Sequence, residues 1–363
     1  MLKKIDVRHE VISIRELSPD LVKVWEELQD ADRDFCSPFF SPEFAGAVGR
    51  HRDDLRLAIL HGGGGIAGFL PFHLKRGGCA TPVAGQVCDY QGVIGSVPGA
   101  GRRGAGLLRG CGLAAYDFNH GLASQPLLAA NAFSFSESRR ADLRAGFGTW
   151  EQEVAGGTKI LKQLKRKQRK LEREIGPLRY EARDPSGPAW AAFHAWKDQL
   201  LRRQGARGFD LPGWLSGLFS DLRSLNAPRF AGMFSTLYAG DRLVAAHFGI
   251  RSGRAWHWWF PAYDASLAKF SPGLILLLRC VEEAARLGLE ELDFGRGGQR
   301  YKHQFGTRAR RLCEGSLERP LVPFGAVRAA RKSVQRLANR SLPEKPADIL
   351  RRGGTKVLRA GLI

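Results

Sequence analysis

The sequence predicts an α+β fold made of two successive units, with largely antiparallel sheets and a basic helical tail behind them. Three observations lead there. A chain of 363 residues exceeds the usual size of one domain. A basic helical segment over 158–176, stopped by Gly176 and Pro177, separates two stretches of mixed strand and helix pattern. The second stretch reads as three turn-linked strands, a loop, a helix, a strand and a helix. The expected boundaries are 1–157, 158–176, 177–322 and 323–363.

In the first unit, apolar positions at Leu21, Val24, Trp25 and Leu28 have helical spacing, with Ser18 as N-cap and Pro19 at N1. The runs 55–60 and 66–73, joined by His61 and the tract Gly62–Gly65, read as a hairpin. An extended stretch is expected over 83–94, a Gly-rich turn over 99–110, and further strand over 114–132. The segment 158–175 carries only a thin apolar seam of Ile160, Leu161, Leu164, Leu171 and Ile175 on a basic helix.

In the second unit, 189–201 and 212–225 read as helices. Strands at 233–238 and 243–250 flank the turn Ala239-Gly240-Asp241-Arg242, and a third strand spans 255–260. Ser271-Pro272-Gly273 then opens a helix to Leu287, capped by Gly288. A strand over 291–294 and a short helix over 299–305 follow.

The chain is 44% hydrophobic, with eight Trp and 21 Phe, which excludes global disorder. The net charge of +20 is unevenly placed. Residues 159–173 hold eight basic residues and one acid; residues 324–363 hold ten and two. The charge therefore marks two appendages on a nearly balanced body. In the tail, Val327, Ala330, Val334 and Leu337 alternate with basic residues as in an amphipathic helix, suited to an anionic membrane surface or a cyclic dinucleotide. Six scattered cysteines show no C-x-x-C spacing, so neither a zinc site nor a disulfide framework is expected, and no metal. A charged N-terminal stretch and the lack of an apolar run of about 20 residues predict a soluble, cytoplasmic protein, peripheral to the membrane at most.

The first candidate site is the Ser271-Pro272-Gly273 turn. Unpaired N–H groups and the helix dipole would draw an anion such as a pyrophosphate there, with Lys269 adding charge. The same pattern also describes an ordinary capped helix. His247, mid-strand beside Phe248, is either a base lining a cleft or a satisfied core histidine; His257, between Trp256 and Trp258, poses the same choice. No G-x-S-x-G, H-E-x-x-H or Walker pattern is present. Direct transfer to an amine needs none of these, only positioning and a proton acceptor.

The run from Phe270 to Gly306 (FSPGLILLLRCVEEAARLGLEELDFGRGGQRYKHQFG) resembles the signature of the CelD/BcsL-type acetyltransferases. These are GNAT-like proteins of cellulose and exopolysaccharide synthesis, related to the Fem peptidyltransferases. The S-P-G before the helix, the D-F-G strand and the Y-K pair carry the likeness. Asp89-Tyr90 resembles the family's D-Y pair, and KRKQRKLEREIG its basic inter-domain helix. The resemblance implies two GNAT-like halves facing a cleft and an acyl-CoA, such as acetyl-CoA, as co-substrate. Its pyrophosphate would be gripped at Lys269, Ser271, Gly273, Leu274 and Ile275, although the usual R/Q-x-x-G-x-G/A loop is missing there. A near miss at Gly101–Gly106 has glycine in first position and reads as a loop.

Within that resemblance Tyr301 would protonate a departing thiolate and Lys302 would stabilise negative charge; packing and solvation are the plain alternatives. Asp293 would orient Lys302, deprotonate the acceptor amine, or cap the turn at Gly295. Asp89, Tyr90, Arg166 and Arg169 would hold the acceptor. The implied activity is N-acylation of an amino sugar in a glycan precursor, nucleotide-linked or lipid-linked. An aminoacyl-tRNA-dependent transferase, or a non-catalytic subunit of secretion machinery, are the competing expectations.

Overall fold

One sheet runs through the whole molecule in the computed structural model, which describes residues 9–97, 104–203 and 213–319. The first half comprises β1 (His9–Ser13), α1 (Pro19–Ala31), α2 (Pro42–His51), β2 (Leu55–Gly62), β3 (Gly65–Leu74), β4 (Cys79–Pro82), β5 (Ile94–Gly95), α3 (Ala105–Gly110), β6 (Ala115–Leu122), α4 (Pro126–Ala130) and β7 (Ala132–Asp142). Then come α5 (Gly146–Gly157), α6 (Ile160–Glu174), β8 (Leu178–Glu181), α7 (Gly187–Arg203) and α8 (Gly213–Ser224). The second half closes with β9 (Phe230–Ala239), β10 (Arg242–Ser252), β11 (Ala255–Tyr263), α9 (Pro272–Arg286), β12 (Glu291–Arg296), α10 (Arg300–Phe305) and β13 (Arg308–Glu318).

The strands pair in the order β1-β2-β3-β4-β6-β13-β7-β12-β11-β10-β9-β8, with β5 on β3. The sheets of the two units are thus continuous with each other. The antiparallel pair β7–β12 joins the halves, and β13 inserts between β6 and β7 of the first half. All pairings are antiparallel except β4–β6 and β11–β12.

Period-2 alternation sends side chains to both faces, and both are covered. Leu57 and Ile59 face a core shared with α1, α2, α7 and α8, whereas Ala58 and Leu60 face one shared with α3 and α4. In the second half Phe234 and Phe248 face the first layer, and Met233, Trp256 and Trp258 face α5, α6 and α9. The basic α6 is held by Ile160, Leu161, Leu164 and Leu171, all buried, at about 1.5–3 kcal/mol per side chain. The Ser18 cap forms as predicted, its Oγ accepting the Leu21 N–H at 3.3 Å.

Two expectations fail locally. The stretch 83–94 is strand only at Ile94–Gly95, because left-handed backbone at Ala84 (φ 55°) and Gly85 (φ 56°) folds it into a turn. Strand over 114–132 stops at Leu122, since Pro126 at a helix start opens α4. Of the Gly-rich turn expected over 99–110, residues 99–103 lie outside the described residues, as does the whole basic tail, and Ala105–Gly110 form α3.

Candidate active site at the seam between the halves

The parallel pair β11–β12 is short. It aligns Ala255 with Glu291, Trp256 with Leu292 and His257 with Asp293, and then the strands part. Beyond that point β11 stays with β10, while Arg296 of β12 pairs with Ser138 of β7. A wedge opens whose apex is His257 and Asp293. By alternation these two side chains point away from α9, toward the layer holding Phe39, whose ring meets the His257 ring edge-on at 4.9 Å.

Residues from the first half converge on that apex. His257 Nε2 lies 2.8 Å from Asp89 Oδ2, and His257 Nδ1 lies 3.5 Å from Asp293 Oδ1 without a hydrogen bond. Asp293 accepts from the Tyr90 hydroxyl at 2.5 Å, from Ser138 Oγ at 2.7 Å and from the Gly295 N–H at 2.7 Å. It therefore caps the Gly295 turn, while Lys302 donates to backbone carbonyls instead. Lys302 is buried and donates to the carbonyls of Gly295 (3.0 Å) and Arg296 (2.9 Å), fastening the end of β12. The solvated alternative for Lys302 is excluded. Burial lowers its pKa, with Asp89 and Asp293 opposing.

Gly295, at φ 71°, has a structural reason to be glycine: a Cβ there would stand 3.1 Å from Asp89 Oδ2 and 3.5 Å from the His257 ring. Asp89 is the accessible member of the cluster, 23% exposed against 1% for His257 and 3% for Asp293. Burial alone would raise the Asp89 carboxyl. The hydrogen bond and charge of His257, with His120 and Lys302 beyond, hold it below the usual carboxylate value. His120 Nε2 stands 3.8 Å from Asp89 Oδ1, and burial pulls its pKa to about 4. Tyr90, fully buried against Asp293, is pushed well above the tyrosine range.

The other candidates lie on the opposite face. His247 stacks on Trp258 at 3.9 Å, and its Nε2 accepts the Trp259 N–H at 3.1 Å. Burial lowers its pKa far below 6.5, so it is a neutral core ring with its acceptor nitrogen already used. Tyr301 packs against the α9-side core, and burial raises its pKa. The wedge thus separates Tyr301 on the α9 side from Asp89, His257 and Asp293 on the other.

At Ser271 the expected side-chain cap is missing. The residue is left-handed (φ 56°), and its Oγ instead accepts from Lys167 Nζ of α6 at 2.7 Å. Lys269 Nζ lies 3.2 Å from Glu174 of the same helix. The turn Lys269–Ile275 therefore sits under α6, with two cations beside it and Gly273 bare enough that a Cβ would touch the Tyr263 ring at 3.3 Å. Leu274 and Ile275 give their N–H groups to Ser271 O and are part of α9, Ile275 in its buried face. Arg166 and Arg169 are exposed on α6, on the α9 side of the sheet, and do not join Asp89 and Tyr90.

Sequence reading missed Ser138, His120 and the ion group Cys36–Glu291–Arg310 that backs Tyr90. His257 carried a signal: in Trp256-His257-Trp258 strand alternation sets the histidine opposite the two buried tryptophans. Among the described residues there is no group of three metal-ligating side chains and no helix long and apolar enough to cross a membrane.

Residues 158–303 match the acetyltransferase (GNAT) domain family. FemX superposes with a TM-score of 0.57 at 9% identity, covering 85% of this chain and 96% of that one. The C-terminal domain of an Agrobacterium fabrum protein described as a lysylphosphatidylglycerol synthetase gives 0.52 at 12%, covering 86% and 95%. A tandem GNAT protein from the clavulanic acid biosynthesis pathway gives 0.46 at 13%, covering 87% and 100%. No curated protein matches the chain in sequence. The chain has a GNAT-like fold, and the domain match makes it an N-acyltransferase.

Proposed function

We propose that this N-acyltransferase takes its acyl group from an acyl-CoA and places it on an amino sugar of an exopolysaccharide or cell-envelope glycan precursor, as a relative of the CelD/BcsL-type enzymes. The observation that carries the reading is the wedge between β11 and β12, with cations beside one end and carboxylates at its apex.

An acyl-CoA suits the residues present. Lys167, Lys269 and Gly273 would hold its pyrophosphate, where charge and the lack of a side chain favour a bulky anion. The open strand edges offer backbone groups to an extended amide-bearing arm. When bound, the thioester supplies an activated acyl carbon. The chain's own residues do the rest: Phe39 and the buried wall around His257 keep water away, Asp89 faces the acceptor, Lys302 holds the β12 end in place, and Tyr301 stands on the side where a leaving thiolate needs a proton. The S-P-G, D-F-G and Y-K elements of the sequence support the glycan-directed branch of this reading.

The exposed cations of α6 favour one competing donor, an aminoacyl-tRNA, because phosphate contacts dominate nucleic-acid affinity. Calorimetric titration with acetyl-CoA and longer acyl-CoAs, repeated on Ser271→Trp, tests the first reading. Binding that the substitution abolishes is expected. No binding to any acyl-CoA, together with a salt-sensitive tRNA gel shift, would replace it with the second.

A further inference from the structure

Resting on that reading, we infer that Asp89, delivered by the first half of the molecule and paired to His257, is the group that receives the acceptor's amine and its proton. Asp89 is the carboxylate at the wedge apex with access from outside; Asp293 is enclosed and already accepts three hydrogen bonds. Its Oδ2 is fixed by His257, which leaves Oδ1 for an incoming group, on the side where His120 stands 3.8 Å away.

The pairing with His257 gives this carboxylate somewhere to share a proton. A 2.8 Å contact between Nε2 and Oδ2 holds one proton on the line between them. Nδ1 then faces Asp293 Oδ1 at 3.5 Å, a buried nitrogen with no hydrogen bond. The ring thus stands between two carboxylates, a setting that favours holding a proton taken from an acceptor. Asp89 and His257 form one hydrogen-bonded pair. The groups facing it are His120 and Lys302 around Asp89, and Tyr90, Ser138 and Arg310 around Asp293.

The step balances without any further reagent. The amine lone pair forms the N–C bond to the thioester carbonyl and the C–S bond breaks. The thiolate leaves and takes a proton from the Tyr301 side, while the proton lost from nitrogen goes to the Asp89–His257 pair. Asp89 is thus catalytic and His257 a positioning residue that also sets the pair's proton affinity.

The probes are D-glucosamine and methoxyamine, whose ammonium is far more acidic, with acetyl-CoA as donor. Asp89→Asn should keep the acetyl-CoA Kd within twofold and lower kcat/KM for glucosamine at least 100-fold. The loss should be smaller for methoxyamine, which gives up its proton unaided. His257→Gln should shift the acid limb of the pH profile for glucosamine and leave donor binding unchanged. Equal losses for both amines, an unmoved acid limb, or loss of acetyl-CoA binding in Asp89→Asn would overturn the assignment. Failure of the unaltered protein to bind any acyl-CoA would instead strike the parent reading, and this one with it.

Discussion

The two halves each contain one parallel strand pair that splits into a wedge, and the two wedges are used differently. In the second half β11 and β12 part after His257 and Asp293, and Asp89 and Tyr90 of the first half come to that apex. In the first half β4 and β6 pair only at Cys79–Ala115 and Ala80–Tyr116 before parting, and the chain fills the gap itself. Gln91 bridges to Gly121 of β6, and its side chain accepts from the Asn119 and His120 N–H groups and donates to Asn119 Oδ1 and Cys88 O. That plug is the segment that presents Asp89 and Tyr90 to the other half. One wedge stays unfilled by strand pairing; the other is filled by the segment that carries Asp89 and Tyr90 to it.

The sharpest way to break this comparison is to remove its meeting point. Asp293→Ala strands the Tyr90 hydroxyl, Ser138 and Arg310 in a buried seam, and urea unfolding should show a loss of about 3–5 kcal/mol. A loss below 1 kcal/mol would mean that the halves are joined elsewhere. Next, Gln91→Ala leaves two backbone N–H groups without an acceptor. Stability should fall by about 2–3 kcal/mol and transfer should drop, while acyl-CoA affinity stays put. A weakened acyl-CoA Kd would show that the plug and the open wedge are one site.

Acid should act on the first half through Asp54, which accepts from His73, Arg52 and Lys75. Burial opposes ionisation of Asp54, but these partners outweigh it and hold the carboxyl well below the usual range. A lowered native pKa stabilises above the unfolded value of about 3.9 and is lost as pH falls below it. His73, lowered by burial, acts in the same direction from about pH 6.5 downward. Asp54→Asn should therefore flatten the acid limb of a melting-temperature profile; an unchanged limb would place the acid-sensitive groups elsewhere. The smallest effect is expected for Lys167→Ala at the α6–Ser271 contact. Stability should change by about 0.5 kcal/mol or less while acyl-CoA binding weakens several-fold by calorimetry.

Much of the second half was legible in the sequence because its signals are local. Turns at Ala239–Arg242, Pro272 at a helix start and Gly288 at a helix end punctuate elements whose periodicity is clean. The first half was harder, since its plug depends on left-handed backbone at Ala84, a residue that seldom adopts it. Of the site, Asp293, Lys302, Asp89 and Tyr90 were singled out by family likeness, and their roles shifted once neighbours were visible. Lys302 fastens a strand end and Asp293 binds Tyr90. His247 and His257 show why: both alternate with bulky apolar residues, and only the partners across the sheet separate a core ring from a seam residue. Partners 168 residues apart leave no spacing to read.

Strand β13 pairs on both sides with strands of the first half, yet it follows them by more than 150 residues. On a ribosome moving at about 5–20 residues per second, the early strands would wait roughly 10–35 s for the one that completes them. Until then β6 and β7 expose edges that can pair with another nascent chain. Synthesis order therefore makes the first half a late folder, and a chain halted before Arg308 would leave the cell with an open sheet rather than a shorter enzyme.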